Sequence, residues 1–275
     1  MDVQFYQTQN KLLKPFLEGY YLLSKSQEEG DIEYLTFPNN FVNISVYQNT
    51  QVELKNNTAL IAENKRFQFS SILVSNYIIP IKAVYRGKIN EITFHFKPLG
   101  LNAFLPGLKP YFNHLFNHFN PFADYEAAMK GILNEKEVDL KTKMIEDYWL
   151  CKFNGFKHTL LEQVMHDLIY TQEEISIEQI GVKYSTSRQN IYKLFNQYLG
   201  KSPAGFRKIH RFRETLNNRI ASLKNEGKLT SLSYESLFYD QSHMVKEFKQ
   251  LTGLTPKKFF ESVQLKKGAG NWLFT

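Results

Sequence analysis

The sequence predicts an α+β protein, with a β-rich N-terminal half, a sandwich or small barrel with trailing helices, followed by an all-α domain of two helix-turn-helix units joined by a long helix. Three observations predict it. Short runs of β-branched and aromatic residues fill the first hundred positions, apolar residues at helical spacing take over after Pro98, and a twenty-residue pattern in the last third occurs twice.

The strands come first. YYLLS (20–24), FVNISVYQ (41–48), QVELK (51–55), FQFSSILV (67–74) and EITFHF (91–96) are each the length of a strand. PNN (38–40), KNN (55–57) and RGK (86–88) separate them as turns. From Pro98 the pattern reads as helical. LGLNAFL (99–105) and YFNHLFNHF (111–119) are short and apolar. In 139–153, Met144, Tyr148 and Cys151 recur at steps of three and four; in 157–170, Leu160, Leu161, Val164, Leu168 and Ile169 make one stripe. A polar break at Asn154-Gly155 suggests a boundary, giving a β-rich domain with a helical extension over 1–155, a second domain over 156–267 and a tail over 268–275.

Composition narrows the function classes. The chain has 275 residues, 43% of them hydrophobic, enough for two cores. With Cys151 as its one cysteine it can form no internal disulfide, and a cysteine-based metal site is not expected. The N-terminus lacks the apolar core of a signal peptide, and no stretch approaches the ~20 apolar residues that span a bilayer, so no membrane is expected and a reducing cytoplasm is the expected compartment. Net charge is +7, but residues 170–275 hold 17 Lys and Arg against 9 Asp and Glu, a net of +8, leaving −1 for the rest. A positive field confined to one third of the chain points to a polyanion, and nucleic acid fits better than an anionic membrane because no long lipid-seeking face accompanies it.

The repeat gives that field a shape. Shifted by 53 residues, SRQNIYKLFNQYLGKSPAGF (187–206) meets DQSHMVKEFKQLTGLTPKKF (240–259): Lys193 falls on Lys246, Phe195 on Phe248, Gln197 on Gln250, Gly200 on Gly253, Pro203 on Pro256 and Phe206 on Phe259. Ile191, Phe195 and Tyr198, and in the second copy Met244, Phe248 and Leu251, cover one helix face. Gly200 and Gly253 suit the left-handed residue that ends a helix; Ser202-Pro203 and Thr255-Pro256 supply a cap and a proline that start the next. A short helix precedes each copy, in 175–184 and 229–238, with a tight turn between, Ser185 to Ser187 and Tyr239-Asp240. The segment 206–223 reads as a long basic helix joining the two units.

On these residues the tail resembles the AraC family of bacterial transcription regulators, over about residues 165–265. The closest stretch is D-Q-S-H-x-x-K-x-F-K-x-x-x-G-x-T-P-x-x-F, Asp240 to Phe259. The chain departs from the family where Gly181 stands for Ala, Lys193 and Lys246 for Arg, and Ser233 and Leu237-Phe238 for Ala and Gly-Phe. The resemblance implies that helices 188–198 and 242–251 enter successive major-groove segments of double-stranded DNA. It makes Arg188, Gln189, Tyr192, Lys193, Gln241, Ser242, Val245 and Lys246 the candidates for base contact. Asn190 and His243 are candidates for packing or phosphate contact, and Arg207, Lys208, Arg211, Lys249, Lys257 and Lys258 for phosphate contact. PNNFVNISVY (38–47) and ITFHFKPLG (92–100) are loosely similar to the sensor domain of one AraC-type subgroup, which implies a cupin-like or related β-domain. It also implies a small-molecule or protein effector acting there and RNA polymerase as a partner, and leaves room for a homodimer.

Other chemistry finds little support. His114 and His118 are four apart, with His95 the nearest third histidine, but no convincing triad forms, and neither a metal nor a cofactor is expected. No phosphate loop, nucleophile elbow or HExxH motif occurs, so the chain is not expected to be an enzyme. Cys151, flanked by Trp149-Leu150 and Phe153, is expected to be an inert core thiol. The alternatives are a cupin-type enzyme with a DNA-binding appendage, or a protein-interaction adaptor that has lost specific DNA binding.

Overall fold

The computed structural model describes residues 1–75, 77–170, 175–224, 241–262 and 272–274. The first half is two β-sheets packed face to face, open at their edges and so not a closed barrel. Strands β1 (Asp2–Gln7), β2 (Leu17–Lys25), β4 (Val42–Gln48), β7 (Phe69–Val74), β9 (Ile89–Phe96) and β10 (Phe116–His118) form one sheet, in the order β1-β2-β9-β4-β7-β10. β3 (Ile32–Thr36), β5 (Thr50–Lys55), β6 (Thr58–Glu63), β8 (Ile81–Arg86) and β11 (Trp272–Phe274) form the other, in the order β11-β3-β8-β6-β5. All pairs are antiparallel except β6 with β8. Asn56 and Asn57, at φ 49° and 60°, close the β5–β6 hairpin, the left-handed pair that a tight two-residue turn requires.

The central strands β2, β4 and β9 of the six-stranded sheet are buried on both faces, which is why they read as nearly continuous apolar runs. On β9, Ile92, Phe94 and Phe96 face one core, shared with Trp149, Tyr125 and Met129 of the trailing helices α1 (Tyr125–Asn134) and α2 (Val138–Cys151). The alternate residues Glu91 and Thr93 face the second sheet. There the carboxylate of Glu91 accepts hydrogen bonds from Tyr21 and Tyr85, both at 2.7 Å, and from Thr93 at 2.6 Å. Burial raises the Glu91 pKa, although these three hydroxyls oppose it.

Four more helices follow: α3 (Thr159–Tyr170), α4 (Ile177–Lys183), α5 (Arg188–Leu199) and α6 (Pro203–Lys224); α7 (Gln241–Thr252) and α8 (Pro256–Ser262) complete the set among the described residues. The α3 stripe packs as expected, with Leu161, Val164 and Leu168 buried. None of the described helices is long and apolar enough to cross a membrane.

Three expectations are corrected. Residues 99–119 are not helical in the α sense: two 3₁₀ turns, Gly100–Ala103 and Lys109–Phe112, lead into strand β10. Pro98, Pro106, Pro110 and Gly107 punctuate the segment too densely for a hydrogen-bonded α-turn to propagate. On α2 the fully buried residues are Ile145 and Trp149, one position round from the Met144–Tyr148 line. Cys151 is therefore turned to solvent at the helix end, an exposed thiol rather than a core one.

Candidate nucleic-acid interface

The first helix-turn-helix unit is built by caps. The Ser176 hydroxyl accepts from the Gln179 amide at 3.1 Å while the Gln179 side chain accepts from the Ser176 amide at 2.8 Å, so both ends of a capping box are closed and α4 begins there. It ends against Ser185, at φ 50°, and the Thr186 amide donates back to the Gly181 carbonyl at 2.9 Å. A Cβ on Gly181 would lie 2.7 Å from the Thr186 carbonyl oxygen, so this particular turn needs glycine where the family has alanine. Ser187 then caps α5, accepting from the Asn190 amide at 3.1 Å, and Gly200, at φ 65°, ends it.

Burial orients α5. Ile191, Phe195 and Leu199 sink into a core with Ile180, Leu161, Val164, Leu168 and Phe206. Leu199, rather than Tyr198, is the third buried residue; Tyr198 is half-buried. The opposite face carries Arg188, Gln189 and Lys193 exposed and Tyr192 half-buried. Arg188 donates to Glu178 at 2.7 Å and lies 5.4 Å from the centre of the Tyr192 ring, which holds the guanidinium at the N-terminal end of the helix. Asn190 is committed to the turn, donating to the Thr186 hydroxyl at 2.9 Å.

The second unit repeats the frame. Gly253 at φ 76° ends α7, and Thr255 accepts from the Lys258 amide at 3.4 Å at the start of α8. Phe248 and Leu251 are buried with Phe259. Ser242 and Lys246 are exposed, and Val245 is half-buried. The side chains of Gln241, His243 and Met244 lie outside the described residues, as do the preceding segment 229–238, with Ser233, Leu237 and Phe238, and the cap Asp240.

The phosphate-contact candidates divide. Lys249, Lys257 and Lys258 are exposed on α7 and α8, while Lys208 on α6 reaches Gln250 at 2.6 Å. Arg207 donates to the Ile175 carbonyl at 2.5 Å and so ties α6 to the start of the first unit. Arg211 pairs with Glu247 at 2.7 Å, the two side chains only 13% and 7% exposed, and locks α6 to α7.

Sequence reasoning missed how the N-terminal half holds this domain. Phe37, next to the PNN turn, is 2% exposed and sits among Phe212, Phe248 and Phe259, its ring 4.9 Å from Phe259 and 6.4 Å from Phe212. The next carbonyls are all claimed by the helical half. Arg213 donates to the Phe37 and Pro38 carbonyls, the latter at 2.6 Å; Lys201 donates to Asn39 at 3.0 Å; and Asn40 returns a bond to the Phe206 carbonyl at 2.9 Å. Burial, with the charge of Arg213 adding to it, pulls Lys201 down to about 7, and the same two causes take His95 down to about 4. No local pattern marks such contacts, since a lysine after a helix-ending glycine is ordinary surface chemistry elsewhere. Among the described residues no group of three His, Cys, Asp or Glu could hold a metal, and His118 lies on a strand rather than on a helix with His114.

Two short helices, α4 and α5, on a three-residue turn, followed by the long helix α6, make one complete helix-turn-helix, and among the described residues α7 and α8 repeat the α5 and early α6 part of that pattern. Residues 180–262 match a family model described as "Helix-turn-helix domain". Over those residues the chain carries a helix-turn-helix domain. No curated protein matches the chain by sequence. Among solved structures it is similar to that of ToxT from Vibrio cholerae, at 14% identity and a TM-score of 0.45, over 90% of this chain and 98% of that one. It is also similar to ToxT bound to (E)-4-(8-methylnaphthalen-1-yl)but-3-enoic acid, at 13% identity and 0.43, over 87% and 97%. A third, ToxT with an unsaturated fatty acid bound, is similar at 12% identity and 0.43, over 88% and 96%.

Proposed function

We propose that this chain is a transcription regulator that reads double-stranded DNA through α5 and α7, which enter successive major-groove segments. The observation that carries it is the exposed first turn of α5, where Ser187 caps the helix and Arg188 and Gln189 stand free of the core beside Lys193. Arginine fits the two acceptors of guanine and glutamine the donor–acceptor pair of adenine. Tyr192 shares this surface, and on α7 the matching positions are Gln241, Ser242, Val245 and Lys246. His243, Lys249, Lys257, Lys258 and Lys208 would supply phosphate contacts, whereas Asn190, Arg207 and Arg211 serve the packing that presents the helices.

Residues 1–155 act as the regulatory domain, residues 156–267 as the DNA-reading domain, with 268–275 as a tail. A small-molecule or protein effector acts through the first, and the contacts of Phe37, Pro38 and Asn40 with α6 support a direct mechanical route from one to the other. RNA polymerase as a partner, a homodimer that reads two such sites and a cytoplasmic place belong to the same reading. So does the absence of an enzymatic role.

Selection of sites from a random duplex library by the full chain, at physiological salt, tests it. The expected product is a motif of two blocks about ten base pairs apart, one for each recognition helix. A pool that stays random, with binding indifferent to sequence, would favour the adaptor reading instead.

A further inference from the structure

The second helix-turn-helix unit meets the N-terminal domain at one place from two directions. From the α6 side, Arg213 grips the carbonyls of Phe37 and Pro38, and the Phe37 side chain fills the space between Phe212 and Phe259. From the other side the chain, after α8, returns as β11 and adds an antiparallel strand to β3, with Trp272 opposite Thr36, Leu273 opposite Leu35 and Phe274 opposite Tyr34. Thr36 is the residue before Phe37. The helix α6 and the strand β11 are thus both fastened at the end of β3 and the residues that follow it.

Each fastening has a physical warrant. β3 is the last strand of its sheet apart from β11, and an uncovered edge presents a row of unpaired amides and carbonyls that another strand can satisfy. Phe37 is a large aromatic taken wholly out of water by a domain other than its own. The carbonyls of Phe37 and Pro38 both accept from the Arg213 guanidinium.

We propose that the end of β3 and residues 37–38 form a clasp, an intramolecular docking surface whose occupants are the chain's own C-terminal strand and the α6–α8 core. Its closure fixes the recognition helix α7 relative to α5. Opening it releases α7 while leaving the first unit, whose core is made with α3, in place. A signal in the N-terminal domain can then reach one recognition helix selectively.

Hydrogen exchange on the full chain tests the clasp. Three variants are compared with the parent: a chain ending at Gly270, Phe37→Ala and the conservative Phe37→Leu. Amides of α7 and α8 should exchange faster by a factor on the order of 10 or more in the first two, less so in Phe37→Leu, while those of α5 keep their parent rates. Unchanged rates in α7 in both the shortened chain and Phe37→Ala would show the second unit to be autonomous and overturn the proposal. A rise shared equally by α5 and α7 would overturn it too, since that is general destabilisation. Should Phe37→Ala fail to fold, the shortened chain still decides, because it removes the strand β11 and leaves α3 to α8 whole. The readout uses no DNA, so it stands or falls separately from the DNA-reading function.

Discussion

The two helix-turn-helix units share a sequence pattern at a fixed offset but are supported differently. In the first, α5 packs on α3 and α4 of its own domain, with Leu99 and the Phe112 ring reaching it from outside. In the second, Phe37 of the β-domain lies at the centre of the described core. The lesson is that duplication conserves the internal frame of a unit, its caps, glycine stop and buried phenylalanines, and leaves the outer contacts to diverge. One unit is placed as a fixture; the other is placed through its neighbour.

Substitutions can break or sharpen this contrast. The largest effect is expected from Phe195→Ala and Phe248→Ala, each removing a fully buried ring at the same place in its repeat and costing about 3–5 kcal/mol. If support differs as described, Phe195→Ala loosens α4 and α5 together with α3, and Phe248→Ala also loosens the 37–40 contacts; exchange mapping of both variants shows whether the damage spreads this way. Next comes Arg211→Ala, which takes the guanidinium away from the buried Glu247 carboxylate and should cost about 3–5 kcal/mol in denaturant unfolding. A double change, Arg211→Met with Glu247→Leu, should recover most of the loss.

At the DNA surface, Arg188→Ala and Gln189→Ala should each relax preference at particular base pairs by about tenfold, whereas Lys193→Ala and Lys246→Ala should weaken all sequences alike and lower the salt slope by about one. Equal losses on every duplex from all four variants would remove the base-reading assignment. Smaller still is Ser187→Ala, expected to cost about 1 kcal/mol of stability through loss of the α5 cap.

The interface also predicts a pH dependence. Burial beside Arg213 lowers Lys201 to about 7 from 10.5, so between those values the unfolded chain holds a proton that the folded chain does not. Stability should therefore rise with pH across that window, with the penalty of burying the charge fully present below it. Denaturant midpoints at intervals from neutral to pH 10 should climb in the parent and flatten in Lys201→Met.

Local chemistry explains why so much of the helical half was legible. The caps at Ser176 and Ser187 and the stops at Gly200 and Gly253 act within a few residues, and the repeat checks each reading against its copy. The strands with two buried faces were equally plain, as β4 and β9 show. Residues 99–119 misled because short aromatic-rich runs fit a helix as well as a turn, and Leu99 at φ 66° has no sequence marker. The exposure of Cys151 turned on a rotation of one residue, which an all-round apolar flank could not resolve. The grip of Arg213 on residues 37 and 38 joins positions about 175 apart in sequence, and no window along the chain contains both.

The pairing of β11 with β3 has a consequence for how the protein comes into being. β3 emerges from the ribosome early, and its outer edge must wait until β11, more than two hundred residues further along, has been made before its partner exists. Throughout synthesis that edge is open to any extended segment nearby, including one from a neighbouring nascent chain. The native partner arrives already tethered, at a local concentration no stranger can match, and so prevails once β11 has emerged. A chain cut short by a premature stop just before Trp272 keeps the open edge for good, and is expected to be the form that aggregates.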